Sequence, residues 1–184
     1  MGVTTATART TLAALGLAAG AIQTASLPTR EQMLTELTSN PQLIAAAPDA
    51  GRAVFEKVCA TCHTFGAVGK EVGPDLTAIA SRMKRPELVE SILWPSRTIP
   101  DQYQMTLIET KAGDFVGGMV RREDAVRVVI VTAQALDKPI TVPKTQIKFR
   151  KKSTTSLMPE DLLAEFSLPQ VAGLVAFLLA GPPR

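Results

Sequence analysis

The stretch Asp49-Ala50-Gly51-Arg52-Ala53-Val54-Phe55-Glu56-Lys57-Val58-Cys59-Ala60-Thr61-Cys62-His63 contains both cysteines of the 184-residue chain and its only histidine. Its first ten residues carry a cap candidate in Asp49 and apolar side chains at Ala50, Ala53, Val54, Phe55 and Val58, the spacing of an amphipathic helix. The motif Cys59-Ala60-Thr61-Cys62-His63 therefore closes a short helix. Zinc and thiol redox chemistry share its C-x-x-C spacing. A structural zinc site takes about four Cys or His ligands, and the chain has neither residue beyond these three. A thioredoxin-like couple is expected beside a βαβ pattern, and none precedes the motif. Two thiols on one helical turn can instead add to the two vinyl groups of a porphyrin, with the following histidine under the iron. The motif points to covalent haem; a dithiol or local disulfide is the reading left beside it.

Downstream, Gly66-Ala67-Val68-Gly69 and Gly73-Pro74-Asp75-Leu76 form a glycine-punctuated loop whose backbone can pass close to a flat ligand. Gly51-x-x-x-Phe55, C-x-x-C-H and Gly73-Pro74-x-Leu76 together resemble the first half of a class I cytochrome c. That resemblance implies that the carbonyl of Pro74 accepts the Nδ1 proton of His63, a bond that orients the ring and makes it a better donor to iron; without it, Pro74 is an ordinary turn proline. It also implies that Leu174 and Phe177, in an apolar C-terminal helix over 168–179, pack on Gly51 and Phe55. Gly51 suits such a crossing because it has no side chain to hold two backbones apart.

Length and composition set outer bounds. The chain can form one packed domain with an added element. A net charge of +3 is too small to imply nucleic acid or an anionic membrane as partner. Leu12 to Ile22 is an apolar run too short to span a bilayer. It suits the core of a signal peptide, so residues 1–26 are expected to be a signal peptide or the end of a preceding helical region. Residues 27–48 read as a helix over Thr29–Leu37, opened by Thr29 with Glu31 and Gln32 in its first turn, and a linker punctuated by Pro41 and Pro48. The haem-carrying domain is expected over 49–181.

Within that domain, Leu76–Lys84 and Pro86–Trp94 read as short helices, with Pro86 at a first helical position and Pro95 ending the second. Arg82 and Arg85 are candidates to pair with haem propionates, and Trp94 and Tyr103 to donate to them, although a solvated face and core packing explain the same residues. From Tyr103 the period becomes strand-like, and about 103–150 reads as a small antiparallel sheet of four or five strands. The fold class expected is mainly α, a cytochrome c-like helical haem domain with that sheet inserted before the final helix. Lys148, Arg150, Lys151 and Lys152 make a basic cluster that either steers an acidic partner or is a solvated strand end.

A haem iron bound by His63 needs a sixth ligand, water or a vacancy. With no second histidine the soft donor available is a methionine. Met158, in Ser156-Leu157-Met158-Pro159, stands just ahead of the closing helix, where the class I family places its ligand; Met83 lies in the arm of a short helix, and Met105 and Met119 in strands. The whole pattern of C-x-x-C-H, Gly73-Pro74-Asp75-Leu76-Thr77, Ser81-Arg82, Ser91-Ile92-Leu93, Pro95-Ser96, the strand insertion and Ser156-Leu157-Met158-Pro159 resembles a haem-binding module of planctomycete and verrucomicrobial dehydrogenase-like proteins. Trp94 and Asp161 depart from that family, where a polar residue and a glycine are more usual.

The resemblance implies a c-type cytochrome rather than an enzyme. It would hold one covalent haem c through Cys59 and Cys62, with His63 and Met158 on the iron, and pass single electrons from a dehydrogenase of sugars or alcohols to a respiratory acceptor. It would work in the periplasm or another extracytoplasmic space. Two other functions stay open: a gas- or peroxide-binding haem with an open sixth position, and a sensing module in which the sheet is the active surface.

Overall fold

A computed structural model describes residues 28–182. The expected signal peptide or preceding helical region over 1–26 lies outside the described residues. Helix α1 (Arg30–Ser39) is opened by Thr29, whose hydroxyl accepts the Gln32 N–H while the Gln32 side chain accepts the Thr29 N–H. This reciprocal pair satisfies two of the donors that a helix start leaves free. Its Leu37 is fully buried in the helical core. A one-turn helix α2 (Pro41–Ile44) leads to α3 (Asp49–Val54), which runs on into a π-helical turn over Phe55–Cys59.

After a tiny hairpin, β1 (Thr64–Phe65) with β2 (Val68–Gly69), come α4 (Ile79–Arg82) and α5 (Arg85–Leu93). The chain ends in α6 (Leu168–Ala180), capped by Ser167 with Gln170 and buried along Val171–Leu178. A helix that apolar on most of its circumference must be enclosed, and here α3, α1, α2, α4 and α5 all touch it.

The tightest packing in the helical body is the crossing of α3 and α6. A Cβ added at Gly51 would lie 2.0 Å from the Gly173 carbonyl oxygen, inside any possible contact. The helices meet backbone to backbone there, which brings Phe55, Phe65 and Phe177 into one tilted cluster with ring centroids 5.0–5.8 Å apart, the offset geometry aromatic rings prefer. Phe177 and Leu174 meet the helix of Gly51 and Phe55 as expected; Gly173, which supplies the other half of the close approach, was not singled out by the sequence.

The expected mainly α class is overturned. Of the described residues 37% are helical and 26% are in strands, and the strands form a five-stranded antiparallel sheet with a core of its own. Its members are β3 (Met105–Thr110), β4 (Phe115–Glu123), β5 (Arg127–Thr132), β6 (Ala135–Pro143) and β7 (Ile147–Lys152), in the order β6-β5-β4-β3-β7. The sheet has the expected place and number of strands, but its strands are long, and β6 starts at Ala135 and runs through Pro139. An edge strand tolerates a proline, whose missing N–H costs no ladder bond on the open side.

The two edge strands are consecutive in sequence, joined by one 3-10 turn, Lys144–Gln146. Four flat inter-strand steps would part them by about 19 Å, whereas three residues of 3-10 helix rise only about 6 Å. The sheet therefore curls into a small half-open barrel. Its inside holds Ile108, Val128, Ile130 and Val142, all at most 4% exposed, with Val116, Val120 and Ile147 against them. The turn is pinned by Lys144 N–H to Val126 O and Lys111 N–H to Gln146 O, each 2.8 Å.

The basic cluster on β7 is largely neutralised. Lys148 pairs with Glu109 at 2.6 Å, Arg150 forks onto both carboxylate oxygens of Glu123 at 3.0 and 2.9 Å, and Lys152 approaches Asp101 at 3.6 Å.

Two outcomes follow from this packing. Gly51→Ala should cost roughly 3 kcal/mol or more, since backbone rather than a flexible side chain blocks the added methyl, read as a lower denaturant midpoint of the holoprotein. The second concerns acid. Arg150 and then Lys144 hold the Glu123 carboxyl down to about 2, so this contribution to barrel stability is complete above the ordinary glutamate range and lost as pH falls from about 4.5 towards 2. Glu123→Gln should flatten the acid unfolding profile across that window, measured by strand circular dichroism.

Candidate functional site

The π turn is the local device that presents the motif. Ala60 N–H bonds to Phe55 O at 2.9 Å, one residue further back than an α-helix allows, and such bulges recur at functional positions. The chain then closes tightly, with Cys62 N–H and His63 N–H both donating to Cys59 O at 3.1 and 2.9 Å. Both thiols lie on this one turn, Cys59 buried and Cys62 half-buried, and neither forms a disulfide. Burial, with a smaller effect from neighbouring Cys62, pushes the Cys59 thiol up to about 12.

A loop wraps back over the motif. Val72 N–H and Gly73 N–H both donate to Cys62 O, at 2.9 and 2.6 Å, and Leu76 N–H donates to Thr64 O at 2.8 Å. Asp75 Oδ1 accepts the Thr77 N–H at 2.7 Å, and Thr77 Oγ1 accepts the Gly66 N–H at 2.9 Å. Gly69, at φ +107°, lies so close that a Cβ there would be 1.9 Å from His63 O.

The result is a held imidazole. His63 Nδ1 is 2.7 Å from the Pro74 carbonyl oxygen. A carbonyl can only accept, so Nδ1 carries the proton and the Nε2 lone pair is free. Burial pushes the ring below its ordinary value, and the Pro74 bond offsets part of that, so the imidazole is neutral, as a metal ligand must be. Gly73 lies flat against the same ring: a Cβ there would stand 2.7 Å from Cε1, 3.0 Å from Nδ1 and 3.1 Å from Nε2. Pro74 orients the ring in its plane and Gly73 supports its face.

Met158 lies in a different segment, residues 153–167, which has neither helix nor strand. Its N–H donates to Ser156 Oγ at 3.1 Å, and Ser156 N–H donates to Ser96 Oγ at 3.1 Å. This segment is tied to the motif's helix by Lys57 and Glu165, 2.8 Å apart. Of the candidate propionate partners, Arg82 is spent on the Asp75 carbonyl. Arg85 gives Nη2 to Ile44 O at 3.2 Å and keeps a buried Nη1 without an acceptor. Trp94 packs on the helical core under Arg97, and Tyr103 sits in the 3-10 turn before β3. The π turn carries no pattern that spacing alone reveals, and Ser96 entered only as part of the family pattern, with no role; Gly69 and Gly73 were legible as close backbone approaches, though Gly73 not as a support for the imidazole.

A family model described as cytochrome C oxidase, cbb3-type, subunit III matches residues 46–114, from just before α3 into the turn after β3. The matched stretch is a cytochrome c-like haem-binding module. No curated protein matches the chain. The cofactor is covalently bound haem c with its iron, and the cytochrome c match supports an electron-transfer role. The donors fit that group: two unpaired thiols on one turn, and a neutral imidazole oriented through Nδ1 with Nε2 free. Cytochrome c domains are generally extracytoplasmic; among the described residues no helix is long and apolar enough to cross a membrane.

Gly73→Ala should force the loop off the ring and stretch the Pro74 bond. The less hydrogen-bonded imidazole then donates less to iron, so the reduction potential should rise and holoprotein yield fall. Redox titration checks this, and an unchanged potential would show that Gly73 does not support the ring.

Proposed function

We propose that the protein carries single electrons on one haem c, attached by thioethers from Cys59 and Cys62 and bound axially by His63 and Met158. The observation that carries this reading is the imidazole held by Pro74 with Nε2 free, directly after two unpaired thiols on one turn. Haem supplies a one-electron iron couple. The chain's part is to hold a neutral, oriented nitrogen donor, to supply a soft sulfur opposite it, and to keep water away with the Phe55, Phe65 and Phe177 cluster and its aliphatic neighbours.

The other methionines support Met158 by what they already do. Met83 packs against the helical core and its sulfur faces the Ser91 hydroxyl at 3.9 Å. Met33 packs on the same core. Met105 and Met119 are register partners in β3 and β4, Met119 only 4% exposed. Met158 is half-buried in a long irregular segment, 153–167, whereas Met83 caps α4 with its sulfur on Ser91; a loop residue suits a ligand that enters from outside the helices. The functional unit is residues 49–181 with the barrel inserted, and residues 28–48 are its cover. Its donor would be a dehydrogenase of sugars or alcohols and its acceptor respiratory, in the periplasm or an equivalent space.

The ligand test compares two methionine variants. Ferric His/Met haem has a weak near-infrared charge-transfer band, and a thioether ligand raises the potential. Met158→Ala should remove the band, lower the potential and open the iron to carbon monoxide; Met83→Ala should leave all three unchanged. If the unmodified protein lacks the band and binds carbon monoxide at once, the sixth position is open and the ligand-binding function replaces electron transfer.

A further inference from the structure

The segment over 153–167 has no backbone ladder to fix it, yet an axial sulfur has to be held within a few tenths of an ångström. Its side-chain bonds show how it is held. Before Met158, the Ser156 N–H donates to Ser96 Oγ at 3.1 Å in a part-buried setting, and Ser156 Oγ in turn accepts the Met158 N–H at 3.1 Å. After Met158, Glu160 Oε2 accepts from Arg30 Nη1 at 2.7 Å. Ser96 therefore holds the residue two before Met158, and Arg30 the residue two after it.

The anchors are themselves fixed. Ser96 follows α5 in a turn closed by Arg97 N–H to Trp94 O at 3.0 Å, and Arg30 begins α1, which packs on α5. Leu163, further along the segment, is 6% exposed in the helical core.

We propose that Ser96 is the positioning residue for the Met158 thioether, with the Arg30–Glu160 pair as its weaker counterpart on the other flank, and that together they slow release of the sulfur from the iron. This rests on Met158 being the axial ligand. The two anchors differ in weight. The Arg30–Glu160 pair is 34% and 48% exposed, and exposed pairs contribute little. The Ser96 bond is part-buried, and losing it leaves a backbone donor without its partner.

The test uses ferric holoprotein and the rate of cyanide binding, which is limited by opening of the iron–sulfur bond, beside the near-infrared band and the denaturant midpoint. Ser96→Ala should speed cyanide binding about fivefold, the factor expected for one net hydrogen bond, and weaken the band without erasing it. Ser96→Thr should restore the original rate. Arg30→Gln should speed binding about twofold.

An unchanged cyanide rate in Ser96→Ala overturns the proposal, whether or not the midpoint falls. If Ser96→Ala yields no holoprotein, Arg30→Gln and Ser96→Thr decide it: rates of about twofold and onefold support it, and no effect of Arg30→Gln overturns it. Met158→Ala separates the two readings. If it keeps both the band and slow cyanide binding, the ligand assignment fails; if it loses both while Ser96→Ala changes nothing, the assignment stands and Ser96 has no positioning role.

Discussion

The backbone contact between Gly51 and Gly173 sets the geometry from which the site is built. Two helices that cross with a carbonyl where a Cβ would otherwise stand cannot slide or rotate without a clash, so the direction of α3 is fixed by the buried α6. The α3 helix leads through the π turn into Cys59. Phe55, one turn on from Gly51, meets Phe177, one turn on from Gly173, at 5.8 Å, so the crossing is sealed by aromatic packing on the side that faces the motif. Burial of Val171–Leu178 supplies the hydrophobic drive, and the glycine pair determines where that drive places the cysteines.

From that fixed point the chain builds inward by backbone bonds rather than by charge. Cys62 O accepts two N–H groups from the returning loop and Thr64 O a third, which brings Gly73 onto the imidazole and Pro74 O onto its Nδ1. The ring is thus constrained in plane and on one face by main-chain atoms, which hold position better than long side chains. Charge enters only at the periphery, in pairs such as Lys57 with Glu165 and Arg30 with Glu160, where it ties the later segment to the frame.

How much of this was legible follows from the physics of each part. The motif, the Pro74 partner, the cap at Thr29 and the apolar final helix depend on spacings of a few residues, and short spacings survive in sequence. The balance of helix and strand was misjudged because the sheet's share depends on strand lengths set by pairing: β6 runs on through Pro139 because it lies at an edge, a fact of topology. Barrel closure was likewise hidden: the 3-10 turn at Lys144–Gln146 looks like any connection until the order of the strands is known. The pairing of the basic run on β7 was hidden because its carboxylates, Glu109, Glu123 and Asp101, come from distant parts of the sequence.

The barrel's place in the chain explains how the motif's helix and the Met158 segment can be tied together although they are far apart in sequence. Its first and last strands, β3 and β7, are paired neighbours, with Thr106 opposite Lys152, and Ser153 N–H bonds to Met105 O at 2.8 Å. The chain therefore leaves the helical body and returns to it within about one strand spacing. A closed insertion of that kind acts on the rest as a short link, because its entropy of closure is met inside its own core. Ser96 lies just before the exit and Ser156 just after the return, so their bond spans the neck of the insertion. That bond ties the Met158 segment to the turn after α5, beside the α3–α6 crossing that also joins the chain before the barrel to the chain after it.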